Sequence, residues 1–152
     1  MSEAAADLLD PAAIRLEARA PDRETAIRLC GQALVDTGAV EPGYIDTMLE
    51  REKSVSTYIG EGVAIPHGTL AARGVVRRDA LCFLRFPDGI DWGGERVSVC
   101  IGIAAAGNGH VAILAQLAEI LMDPDRAAAL RGAADPAEVS RLLEPTEEDD
   151  SE

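Results

Sequence analysis

The spacing of apolar residues switches between two periods along the chain. Ile27, Cys30 and Leu34 recur at helical spacing with Ala26 and Ala33 beside them. Asp22 suits an N-cap and Gly38 a C-terminal stop, so a first helix is predicted between them. A second is predicted to start at EPGY, with Glu41 ahead of Pro42 in the first turn. Its stripe is Tyr44, Ile45, Met48 and Leu49, and MLEREK closes it, which leaves Arg51 near its end. GVAIPH is a short strand-like run ending at Pro66, whose ring nitrogen has no hydrogen to give a ladder. ALCFLRF at 80–86 and RVSVCIGIAA at 96–105 are the clearest strands. The second is apolar on both faces, as a central strand covered on both sides must be. PDGIDWGG between them reads as a polar turn. Val111, Leu114, Leu117, Ala118 and Leu121 return to helical spacing, with Asn108 as N-cap and Gly109 and His110 in the first turn. Two shorter helices each open on an Asp-Pro pair, at Asp123-Pro124 and Asp135-Pro136. Strands interleaved with helices predict an α/β layered domain.

Composition narrows this picture. With aromatics at 3%, aliphatic side chains and alanine must fill the core of the 152-residue chain. A net charge of −13 excludes a nucleic-acid partner, which needs a basic surface, and suits a basic protein. The stretch from Glu144 to Glu152 carries six acids and reads as a disordered tail after a domain over 1–143. There is no run of eighteen apolar residues, and the N-terminus lacks a basic stretch followed by an apolar one. The expected location is therefore the cytoplasm. Cys30, Cys82 and Cys100 form no CxxC pair and read as buried thiols.

Two isolated histidines with no metal-ligand spacing are a poor zinc site. GxSxG and GxxxxGK[ST] are both absent, so a serine hydrolase and direct use of ATP are not expected. What remains is a histidine acting as nucleophile or as acid and base. His67 follows the GVAIP run and precedes Gly68, which places its ring at the end of a strand. His110 opens a helix, where free N–H groups attract anions. Arg51 could add forked donors. Together these suit a phosphoryl group moving onto and off a histidine. Spacing alone favours a blander reading: His67 bonding a turn carbonyl, His110 starting a helix, Arg51 solvated at a helix end.

The segments AIRLCGQALVDTGAVEPGYIDTMLEREK, TYIGEGVAIPHGT, LCFLRFPDGIDWG and VCIGIAAAGNGHVAIL carry a resemblance from about residue 14 to about residue 143. They resemble the enzyme IIA domains of the bacterial sugar phosphotransferase system, in the mannitol/fructose group and nearest the mannitol type. The resemblance implies a three-layer α/β sandwich, with a mixed sheet of about five strands and helices on both faces. It implies that His67 of AIPHG is phosphorylated through Nε2. Phospho-HPr is then the donor and a cysteine of an enzyme IIB domain the acceptor, and the sugar is phosphorylated afterwards by way of the membrane IIC domain. Arg51 and His110 match the groups that hold the phosphoryl oxygens. Thr57, Asn108 and Gly68 match positions beside the site. No metal or cofactor is implied, and a carbonyl on Nδ1–H would fix the His67 tautomer. None of the three cysteines has the setting of a IIB nucleophile, so IIB and IIC are expected on other chains, with the membrane met only through IIC. A nitrogen-type regulatory IIA is the alternative, and the Thr57-Tyr58 pair favours transport over it.

Overall fold

The computed structural model describes residues 8–69, 74–105 and 109–143, without the side chains of residues 109–112. The predicted acidic tail and Asn108 lie outside the described residues. Ten elements run in the order β1 (Leu9–Arg15), α1 (Arg23–Asp36), α2 (Tyr44–Ser54), β2 (Tyr58–Gly60), β3 (Val63–Ala64), β4 (Ala80–Trp92), β5 (Glu95–Ala104), α3 (Gly109–Leu121), α4 (Pro124–Arg131) and α5 (Pro136–Leu142).

Aspartates begin three of these helices. Asp22 accepts from Thr25 N at 2.8 Å, Asp123 from Asp125 N at 3.0 Å, and Asp135 from Glu138 N at 2.9 Å. Each satisfies a first-turn N–H that has no partner within the helix. α1 stops before Gly38, whose φ of +80° carries the chain away. α2 starts at Tyr44, later than EPGY suggests, because Glu41 to Gly43 form a tight entry turn in which Glu41 O accepts from Tyr44 N at 2.9 Å.

The strands form one five-stranded mixed sheet in the order β1-β4-β5-β3-β2, so β5 is the centre as its sequence predicts. It runs antiparallel to β4 and parallel to β3. Alternate residues of the sheet feed two cores. On one face Cys82, Leu84, Cys100 and Ala104 meet Ile27, Cys30 and Leu34 of α1 and Tyr44 and Met48 of α2. On the other, Leu81, Phe83, Val99, Ile101 and Ile103 meet Ile113 and Leu117 of α3, Leu130 of α4 and Val139 of α5. The three cysteines are free and buried, and burial pushes the Cys82 thiol up, which makes it inert. No helix among the described residues is long and apolar enough to cross a membrane.

PDGIDWGG corrects the reading from sequence. It is not a polar turn, because β4 runs on to Trp92. The Pro-Asp-Gly signal marks a bulge instead. Arg85 opposes Val99 and Ile90 opposes Val97, so four residues of β4 face one of β5. Beyond the bulge Ile90 and Trp92 are buried again. The hairpin turn is Gly93-Gly94, with φ of +67° and +103°. β1 and β2, both sheet edges, carry no alternation strong enough to be read. In β1 Asp10, Pro11 and Ala12 are all exposed, as an edge strand allows.

Candidate functional site

β3 ends at Ala64, and Ile65-Pro66-His67 continues alongside the central strand. Pro66 O accepts from Ile103 N at 2.9 Å, and His67 itself bridges to Ile103. His67 is buried, at 8% exposure. Its Nδ1 lies 2.9 Å from Ile65 O. A carbonyl can only accept, so Nδ1 carries the proton and the lone pair of the neutral ring is on Nε2.

A clamp from α2 closes on the next residue. The Tyr44 hydroxyl accepts from Gly68 N at 2.9 Å and donates to Ile103 O at 2.7 Å. One phenol thus ties the residue after His67 to the strand residue beside it. Gly68 has no side chain because none fits: a Cβ there would lie 2.5 Å from Thr47 Oγ1 and 2.6 Å from Tyr44 Cε1.

Burial pushes the Tyr44 phenol up from 10.0 to about 12. The unfolded chain therefore releases this proton first, and the stability tied to it is complete below pH 10 and lost as pH rises from 10 through about 12. Tyr44→Phe should cost about 1–3 kcal/mol at neutral pH, because it strands a half-buried donor, Gly68 N, and a buried acceptor, Ile103 O. The gap between wild type and variant should then narrow by about 1 kcal/mol at pH 11. Urea midpoints of both proteins from pH 8 to 11 check this, and a gap that does not change with pH refutes it.

The same helix anchors the segment before His67. Glu52 is 8% exposed and Thr57 is 4% exposed. Glu52 Oε2 accepts from Thr57 N and Trp92 Nε1, both at 2.9 Å, while Oε1 accepts from Thr57 Oγ1 at 2.5 Å. Thr57 O in turn accepts from Ile65 N at 3.0 Å. The hydroxyl of Thr57, singled out from sequence as lying beside the site, is thus committed to Glu52.

Arg51 stands in the last turn of α2 and donates from Nη1 to Val55 O at 2.6 Å. His110 sits in the first turn of α3, but its side chain lies outside the described residues, as does all of Asn108. The structure thus joins His67, Gly68 and Thr57 in one backbone network and puts Arg51 beside its anchor. Sequence reasoning missed Tyr44, Glu52 and Trp92 as parts of this network. One signal was present: Tyr44, Met48 and Glu52 fall four apart on one helix face, so a carboxylate occupies a position where the stripe calls for an apolar residue.

The arrangement is an imidazole whose neutral form has its tautomer set by a backbone carbonyl, on a segment hydrogen-bonded on both sides, suited to nucleophilic attack through Nε2. Residues 7–145 match the family described as phosphoenolpyruvate-dependent sugar phosphotransferase system, EIIA 2. The chain belongs to that family. As an EIIA 2 chain it is a phosphotransferase component of the system. It is 41% identical over 131 residues to the mannitol-specific phosphotransferase enzyme IIA component of Geobacillus stearothermophilus, covering 86% of this chain and 90% of that one. It is 45% identical over 131 residues to a multiphosphoryl transfer protein of Haemophilus influenzae, where it spans 86% of its own length but 26% of the relative's. Among solved structures, the IIA of a complex of mannitol enzyme IIA with phosphorylated mannitol enzyme IIB from Escherichia coli superposes with a TM-score of 0.83. That match is 36% identical and covers 90% of this chain and 98% of the other.

Proposed function

We propose that this chain is a cytoplasmic phosphocarrier that accepts a phosphoryl group from phospho-HPr on His67 and passes it to the cysteine of a mannitol-specific enzyme IIB. The observation that carries the reading is the 2.9 Å contact between His67 Nδ1 and Ile65 O. It puts the lone pair on Nε2 and lets Ile65 O support the positive charge that the ring gains when the N–P bond forms. In the first step that bond forms as the bond to the donor histidine breaks, and in the second the IIB thiolate displaces His67 from phosphorus. The transition state is loose and in-line, with charge on the equatorial oxygens, so positioning and neutralisation are what the protein must supply. We assign the oxygens to Arg51 and His110, with Asn108 beside them, while Gly68 serves the pocket by leaving room for the Tyr44 ring and giving its N–H to the Tyr44 hydroxyl. No cofactor enters this scheme. The carrier unit is residues 1–143, with 144–152 a solubilising tail. Identity to a mannitol-specific relative of nearly the same length supports transport over regulation.

The test is incubation with enzyme I, HPr and phosphoenolpyruvate, followed by addition of a mannitol-specific IIB. Intact mass should show one acid-labile phosphate that disappears when IIB is added. No uptake from a competent HPr overturns the phosphocarrier reading. Uptake without transfer to IIB overturns the mannitol assignment and favours a regulatory IIA.

A further inference from the structure

We propose that Glu52 is a positioning residue of this site: its buried carboxylate holds the backbone that fixes the tautomer of His67. The inference rests on the phosphocarrier reading for its functional consequence, but not for its structural one.

Three donors from two distant segments converge on Glu52: the N–H and hydroxyl of Thr57, and the indole N–H of Trp92. Among the described residues no ion pair involves it. A buried carboxylate without a cation is costly unless hydrogen bonds satisfy it. An apolar residue would continue the Tyr44–Met48 face at no such cost. What a carboxylate adds is two acceptor-only oxygens that serve several donors at fixed angles. Here they secure Thr57, and the path to the imidazole from there is short. Thr57 O takes Ile65 N at 3.0 Å, and Ile65 O takes His67 Nδ1 at 2.9 Å.

Two residues of α2, eight positions apart, thus hold the His67 segment from both sides. Tyr44 fixes it after the histidine, at Gly68 N, and Glu52 fixes it before, through Thr57. Arg51 shares the anchored turn with Glu52, and its guanidinium is held on Val55 O only two residues before Thr57. The same carboxylate therefore keeps the Arg51 turn and the His67 segment in register. Glu52 touches none of the reacting atoms. It acts through Thr57 and Ile65.

The experiment compares full-length wild type, Glu52→Leu, Glu52→Gln and Thr57→Val. The imidazole nitrogens of His67 are read by ¹⁵N NMR in the unphosphorylated protein, and kcat and KM are measured for phospho-HPr. In Glu52→Leu the Nδ1–H tautomer should give way to a mixture. Its kcat should fall about 100-fold while KM stays within about 2-fold, as a misaligned nucleophile requires. Glutamine retains an oxygen for Thr57 N and Trp92 Nε1 and offers an N–H to Thr57 Oγ1. Glu52→Gln should therefore keep the tautomer and bring kcat back to within roughly 5-fold of wild type. If Glu52→Leu does not fold, Thr57→Val carries the test, because it loses only the hydroxyl bond and should shift the tautomer in the same direction. A folded Glu52→Leu or Thr57→Val with wild-type tautomer and wild-type kcat overturns the proposal. Equal losses in the Gln and Leu variants with the tautomer unchanged overturn it too, since they would assign the effect to charge. The NMR readout needs no phosphate. Failure of the wild type to accept phosphate therefore refutes the carrier reading, and the tautomer result still decides the role of Glu52.

Discussion

His67→Gln protein is expected to take up no phosphate from phospho-HPr while keeping its fold. Glutamine has nearly the reach of histidine and places its amide nitrogen about where Nε2 stands. Its amide nitrogen is conjugated with the carbonyl and has no lone pair to offer phosphorus. The loss should therefore reach at least about 10³-fold, the scale seen when a nucleophile is removed. His67 sits at the margin of the core, and the neighbouring backbone bonds from Ile103 N to Pro66 O and from Gly68 N to Tyr44 do not involve its ring. Thermal stability should accordingly drop by only about 1 kcal/mol, from the lost ring contacts. Intact mass after incubation with the donor system reads the first effect and a melting curve the second. A single acid-labile phosphate on the variant would move the acceptor elsewhere, with His110, the other of the two histidines in the chain, the first place to look.

Gly68→Ala should also slow transfer severely, though it adds only a methyl group. The new Cβ would stand 2.5 Å from Thr47 Oγ1 and 2.6 and 2.8 Å from two carbons of the Tyr44 ring. The threonine can rotate away, but the ring cannot, because its hydroxyl is bonded to both Ile103 O and Gly68 N. Relief must come from movement of the segment that carries His67, by something near an ångström. A displacement of that size at a nucleophile costs on the order of 100-fold in rate. Overpacking of this kind should also lower stability by about 1–3 kcal/mol. Phosphate uptake kinetics and urea denaturation separate the two effects. Wild-type uptake by the alanine variant would show that the Tyr44 clamp does not set the position of His67.

Residues whose signal is local were legible in the sequence. Asp22 and Gly38 bound α1, the Asp-Pro pairs open α4 and α5, and the unbroken apolar run of β5 marks the centre of the sheet. His67 stood out by its rarity and by the flanking Pro66 and Gly68. What failed depends on distant partners. The Pro-Asp-Gly of β4 has the same local chemistry in a turn and in a bulge, and only pairing with β5 decides between them. Glu52 looks like one more charge at a helix end until Trp92, forty residues on, turns its indole toward it. The tautomer of His67 was expected to hang on a carbonyl, but that carbonyl belongs to the backbone of Ile65, and no residue identity encodes it.

That last contact has a consequence for how such a protein can diverge. The atoms that aim the ring on its Nδ1 side, and the bond that pins Pro66 to the central strand, are all main chain. Peptide groups are the same whatever side chains they carry. Substitutions on the surrounding surface can therefore alter which protein docks without redirecting the nucleophile. The chemistry is inherited with the path of the backbone, while the choice of partner remains open to drift and selection at the rim.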